Sequence, residues 1–152
     1  MQYLKFSIRK NSIIALSFIV LSFAGCSKGG ESPTPTPPPP VVVTEADIAF
    51  RVDVAGSEVN YSAVYPVVGT TLLMNSNITS ALPKDGVTID VSVRRKLDNT
   101  VVFSSNTSSS AASNPVTVTG LTGGTLCVAT IVVTSKSKAS NTSTKTFELA
   151  AK

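Results

Sequence analysis

The amino-acid sequence predicts an all-β protein, built as an antiparallel seven-stranded β-sandwich, for three reasons. Apolar and polar residues alternate most clearly over residues 48–54 and 87–93, which places the apolar side chains of each strand on one face. No window of the same region repeats the i, i+3, i+4, i+7 spacing of an amphipathic helix. Finally, 31 of the 112 residues from Val41 to Lys152 are Ser or Thr, and Thr favours strands whereas Ser favours turns.

Seven segments carry the strand pattern, and residues typical of turns separate them. The predicted strands are residues 48–54, 59–65, 87–93, 101–103, 116–118, 126–133 and 144–149. Residues 104–113, which are rich in Ser, are predicted as a loop, either a flexible connection or a binding loop on a rigid scaffold. A chain of this length is sufficient to bury about two-thirds of its unfolded surface, so a hydrophobic core is expected.

The first 25 residues have the layout of a signal peptide. Lys5, Arg9 and Lys10 precede a mostly apolar run over residues 13–25. As a helix this run would reach about 20 Å, which is short of the roughly 30 Å hydrocarbon thickness of a bilayer. An export signal is therefore a better interpretation than a permanent membrane span.

The apolar run ends at Phe23-Ala24-Gly25-Cys26, where two small residues precede a cysteine. This segment resembles the lipobox of bacterial lipoproteins, although an aliphatic residue is more usual at the position of Phe23. The resemblance implies cleavage before Cys26 and acyl chains on its sulfur that anchor the protein in a membrane. Ser27, in place of an Asp, implies the outer membrane if the host has one. The alternative is an ordinary secretory signal in which Cys26 is incidental.

Residues 26–43 are predicted to be a stalk. Six of the nine prolines lie within residues 33–40, and proline fixes φ and lacks an N–H. The tract therefore favours a polyproline II spacer of about 25 Å between the anchor and the domain of residues 44–152. A ligand for a proline-recognising domain is the alternative.

One corner motif resembles a known class of domain. Leu121, Gly124 and Thr125 precede an alternating apolar segment, and this arrangement resembles the corner before the sixth strand of fibronectin type III and related immunoglobulin-like domains. The resemblance implies a sandwich of that class over residues 44–150. Gly123 stands where the motif has proline, and Cys127 stands where it has a tyrosine; the usual Trp is also missing.

The amino-acid composition excludes most kinds of catalytic, metal-binding and nucleic-acid-binding site. The chain has 13 Lys and Arg against 9 Asp and Glu; removal of residues 1–25 takes three cations and leaves 10 against 9. A nearly neutral domain lacks the basic face that nucleic acid requires, so no nucleic-acid partner is expected. With no His, one thiol after acylation and scattered acids, no catalytic residue, metal or cofactor is expected either, although a calcium site between loops stays open.

Five basic residues form a candidate partner patch. Arg94, Arg95 and Lys96 end one predicted strand, and Lys136 and Lys138 follow another. We expect the two strand ends to approach each other and to offer a small basic surface to acidic glycans or lipid headgroups. The alternative is solubilising charge at strand ends.

Together these features predict a lipid-anchored cell-envelope protein with a single non-catalytic domain for binding, adhesion or an accessory role. Its expected partners are the membrane, through the acyl chains on Cys26, and a protein or glycan that the sequence does not identify. The alternative is a structural or assembly subunit of a surface complex or fimbria-like polymer. A third class is a small hydrolase with paired carboxylates on a sandwich scaffold.

Overall fold

A computed structural model describes residues 44–152, which contain nine β-strands and no helix. The strands are β1 Phe50–Val54, β2 Ser57–Glu58, β3 Val64–Val67, β4 Leu72–Ile78, β5 Val87–Arg95, β6 Val101–Ser109, β7 Ser113–Val118, β8 Leu126–Ser135 and β9 Thr142–Ala151. Nowhere in this range is there a helix of the length and apolar character that crossing a membrane requires.

The strands form two sheets in a sandwich-like arrangement. One sheet has the order β2-β1-β4-β7 and the other the order β3-β9-β8-β5-β6. The prediction of an all-β sandwich is therefore confirmed at that level. Neighbouring strands are antiparallel except for β3 and β9, which run parallel, so the prediction of a wholly antiparallel structure is wrong at this edge.

A single hydrophobic core lies between the sheets and follows the period-two pattern. In β5, Val87, Ile89, Val91 and Val93 are all buried while the intervening residues face outward. β8 alternates in the same way over its full length. Each fully buried Val, Ile or Phe side chain contributes about 1.5–3 kcal/mol to folding, so these regular strands form the main stabilising layer.

The strand count differs from the predicted seven because two strands, β2 and β4, were not predicted. β4 was missed because its inward positions include Ser76, which is buried, and because Leu73 on its outward side is exposed; both residues obscure the alternation. The predicted strand at residues 59–65 is wrong except at its end. Residues 59–63 form a turn that leads from β2 in one sheet to β3 in the other, and only Val64 and Tyr65 belong to β3.

The predicted loop of residues 104–113 is also wrong, since β6 continues to Ser109. The register pairs Ser104 with Ser92 and Ser108 with Thr88 across β5. Pairing with β5 satisfies the backbone groups of alternate residues in this segment, whatever their side chains are. Because β6 is an edge strand, it has little apolar surface to bury, and its sequence therefore lacks a hydrophobic signal.

The two ends of the sandwich differ in what they carry. The proximal end is where the described chain begins, and it includes the β4–β5, β6–β7 and β8–β9 connections. The distal end includes the β3–β4, β5–β6 and β7–β8 connections and Lys152, whose N–H donates to the Val67 carbonyl (2.9 Å).

A buried asparagine holds the first described residues against the proximal end. The N–H of Ile48 donates to Oδ1 of Asn141 (2.9 Å), and Nδ2 of Asn141 donates to the Ala46 carbonyl (2.9 Å) and to Oε1 of Glu45 (2.6 Å). Hydrogen bonds led by that from Ser137 lower the pKa of the Glu45 carboxyl. The segment that leads into β1 is therefore pinned to the β8–β9 turn.

Candidate binding surface

The five predicted patch residues lie at opposite ends of the domain. Arg95 pairs with Cys127 in the β5–β8 register, whereas Ser135, just before Lys136, pairs with Val87. The two groups are therefore separated by the length of β5, about 26 Å. The prediction of one patch is wrong, because antiparallel pairing places the end of β5 beside the beginning of β8. Arg94, Arg95 and Lys96 are at the distal end, and Lys136 and Lys138 are at the proximal end.

The three distal cations are each engaged by the surrounding structure. Arg94 donates to the carbonyl of Asn99 (3.1 Å), and Arg95 forms an exposed ion pair with Asp98 (3.2 Å). Lys96 pairs with Glu148 on β9. Exposed pairs of this kind contribute about 0–1 kcal/mol, so an anionic ligand can compete for these cations at little cost.

The β5–β6 turn is held in shape by its own polar residues. The N–H of Thr100 donates to Oδ1 of Asp98 (3.1 Å), and this bond, followed by further contacts that include Arg95, lowers the pKa of the Asp98 carboxyl. Asn99 takes a positive φ of 59°, a conformation that Asn tolerates better than most residues. The turn therefore projects Leu97 from a defined backbone.

Leu97 is the most exposed large apolar side chain of the described residues, at 92 % of its full exposure, and Val68 in the β3–β4 loop follows at 87 %. Beside Leu97 lies an open groove of about 750 Å³. We call it the distal groove; its lining residues are Arg95, Lys96, Leu97, Gly124, Thr125 and Leu126. An apolar side chain that lines the same groove as two cations suits a ligand that carries both an apolar surface and anionic groups.

The sequence pattern indicated the cations of the distal groove but not Leu97. The sequence signal that points to Leu97 is the segment from Arg94 to Asn99. It has the polar composition of an exposed turn but contains a leucine among its charged residues. The lining residues of the distal groove that lie on the β7–β8 loop could not be predicted from their spacing in the sequence, because they reach the groove only through the β5–β8 pairing.

The sole thiol of the described residues, Cys127, is inert by position. It is 1 % exposed, which confirms the predicted burial. Burial raises the pKa of the thiol, and the nearby Arg95 opposes this shift only in part. A buried, protonated thiol is neither a nucleophile nor a metal ligand.

The positions of the acidic residues bear on metal binding and on paired-carboxylate chemistry. Between residues 44 and 152, no three or more His, Cys, Asp or Glu side chains come together as a metal site. Asp53 and Glu58 are directly opposite each other on β1 and β2, a pair that the sequence did not reveal. The Asp53 carboxylate, however, accepts from Nδ2 of Asn77 (2.7 Å) and pairs with Nε of Arg51 (3.2 Å), so it is held in a polar network and is itself buried.

Three sequence predictions, lipid attachment at Cys26, a signal peptide at residues 1–25 and a stalk at residues 26–43, lie outside the described residues. The chain matches no protein-family model, and no curated protein matches it significantly.

Proposed function

We propose that the protein is a lipid-anchored component of a bacterial cell envelope, in the outer membrane where the host has one. Its sandwich is a non-catalytic binding or accessory module that presents the distal groove to an acidic partner. Support for the anchor comes from the sequence around Cys26, and support for the module comes from the fold and the distal surface.

We further propose that the sandwich belongs to the immunoglobulin-like or fibronectin type III-like class. When the short strands β2 and β3 are set aside, seven main strands remain. The first, second and fifth of these share one sheet (β1, β4, β7), and the third, sixth and seventh share the other (β5, β8, β9). Immunoglobulin-like domains divide their strands in the same way, and β6 takes the place of the extra strand beside the third.

The observation that best supports a binding function is that the distal groove and the point where the chain enters the domain lie at opposite ends of the sandwich. The chain enters the domain at Thr44 and is pinned there through Asn141, whereas the distal groove lies at the other end of β5. From its first to its last residue, β5 spans about 26 Å. The distal groove is therefore at the end of the domain opposite to the one at which the chain enters, and that end stays open to a partner.

The anchor is tested by labelling cells that express the full chain with an alkyne fatty acid. We expect the wild type to incorporate the label and Cys26→Ala to lose it, because the sulfur is the proposed acylation site. Cys127→Ala is the matched control: its thiol is buried, so labelling should be unchanged. Label retained in Cys26→Ala would contradict the anchor.

The groove is tested by binding of the detergent-solubilised full chain to immobilised polygalacturonate, with a neutral glucan for comparison. We expect the double variant Arg95→Glu, Lys96→Glu to bind the acidic glycan at least about tenfold more weakly, a change of about 1.4 kcal/mol. Added salt should weaken wild-type binding as well.

The matched control is Lys136→Glu, Lys138→Glu, which makes the same change of charge at the proximal end. Binding by this control should stay close to that of the wild type. An equal loss in both double variants would show that only net charge matters, and a wild type that does not prefer the acidic glycan would contradict the proposed ligand class.

A further inference from the structure

Three of the four edge strands of the described domain are protected against pairing with another chain. β2 has only two residues, β3 has four and contains Pro66, and β7 contains Pro115 in its middle. A short strand offers few backbone groups, and proline removes a donor and obstructs a neighbour. None of these three edges suits the addition of a strand.

β6 is the exception among the four edges. It has nine residues, Val101–Ser109, with neither a charged residue nor a proline. A register irregularity opposite Val93 and Arg94 affects only its beginning, so residues 103–109 pair regularly with β5. Alternate residues of this stretch therefore direct their N–H and C=O groups away from β5, where they are open to a further strand.

The sandwich is also incompletely closed beside β6. A groove of about 180 Å³ lies between the edges of the two sheets, with Ser105 and Thr107 on one side and Asn114 and Pro115 on the other. The core residues Ile89 and Val91 contribute to its floor. An added strand would direct alternate side chains toward this groove and cover it.

We propose that β6 pairs antiparallel with β6 of a second copy of this chain, which joins two five-stranded sheets into one sheet of ten strands. Two-fold pairing of an edge with itself brings residues of the same strand opposite one another. A charged strand would oppose this pairing, since like charges directly opposite each other are destabilising; β6 carries none.

Charge and hydrogen bonding both favour a second copy of this chain as the partner that pairs with β6. Residues 44–152 contain nine Lys and Arg and eight Asp and Glu, so two copies repel each other little. Seven to nine paired residues supply about eight backbone hydrogen bonds. Because the pairing is antiparallel, the proximal end of one copy lies beside the distal end of the other.

Sedimentation velocity of the full chain, in a detergent matched in density to the buffer, tests the pairing. We expect the wild type to sediment as a dimer. The double variant Ser104→Lys, Ser108→Lys places cations on the exposed outward face of β6, and it should raise the dissociation constant at least about tenfold. Circular dichroism and the melting temperature verify that the variant is folded.

Two further variants test whether the effect is specific to the β6 edge. Thr117→Lys places the same cation at an exposed position of the other long edge, β7, and it should leave the dimer intact. Mixing the double Lys variant with Ser104→Glu, Ser108→Glu should restore dimers of mixed composition. A monomeric wild type, an equal loss in Thr117→Lys, or no restoration on mixing would overturn the proposal. None of these readouts depends on acylation or on glycan binding.

Discussion

Replacement of Gly86 by Ala should destabilise the domain by about 2–5 kcal/mol. Gly86 has a φ of +78°, and a Cβ added there would lie 2.4 Å from the carbonyl oxygen of Ser109. The left-handed conformation costs a non-glycine residue about 1–2 kcal/mol, and the forced shift of a packed backbone adds about 1–3 kcal/mol. The free energy of unfolding from denaturant titration measures the effect.

Gly56→Ala is the control that separates the two contributions. Its φ of +81° is nearly the same, but no atom lies within 4 Å of an added Cβ. We therefore expect a loss of only about 1–2 kcal/mol. Equal losses at the two positions would show that the contact between Gly86 and the end of β6 has no energetic weight.

Asn141→Ala should cost about 2–3 kcal/mol and release the segment that leads into β1. The substitution removes the acceptor for the Ile48 N–H and the donor to the Ala46 carbonyl. Asn141 is only 5 % exposed and its bond from Ile48 is buried, so water cannot readily replace that acceptor, and a buried group left without a partner costs about 1–3 kcal/mol. Loss of the part-buried bond to Ala46 adds to this cost. Denaturant titration gives the loss, and limited proteolysis of residues 44–48 reports the release.

Asn60→Ala is the comparison for this variant. Asn60 is exposed, and its side chain accepts a hydrogen bond from the nearby N–H of Ser62 (3.0 Å). We expect a change within about 0.5 kcal/mol and no new cleavage. If Asn141→Ala behaves like Asn60→Ala, the buried contact does not hold the segment in place.

The strands that were predicted correctly share one property: each buries one face and exposes the other. In β5 and β8 this arrangement produces a strict alternation in the sequence. β1 gives the same signal through Val52 and Val54, although its buried Asp53 departs from it. Cys127 continues the inward series of β8, which is why its burial could be predicted from its position alone.

Two strands, β4, which was not predicted, and β6, which was predicted too short, lack this relation between burial and polarity. Ser76 is buried although it is polar, and Leu73 is exposed although it is apolar, so β4 has no clear alternation. β6 lies at an edge and needs few apolar residues, and its side chains are accordingly mostly Ser, Thr and Asn. In both cases the neighbouring strands, rather than local preference, stabilise the extended backbone.

The sequence by itself determined the all-β class, the inward faces of the regular strands and the lack of imidazole chemistry, because these follow from residue identity and from a period of two. Only the tertiary structure decided that Arg95 and Lys96 join Leu97 in a groove, that Lys136 and Lys138 lie at the other end, and that β6 has an open edge. Those outcomes depend on strand order and register, which are set by the packing of both sheets around one core and not by any local segment.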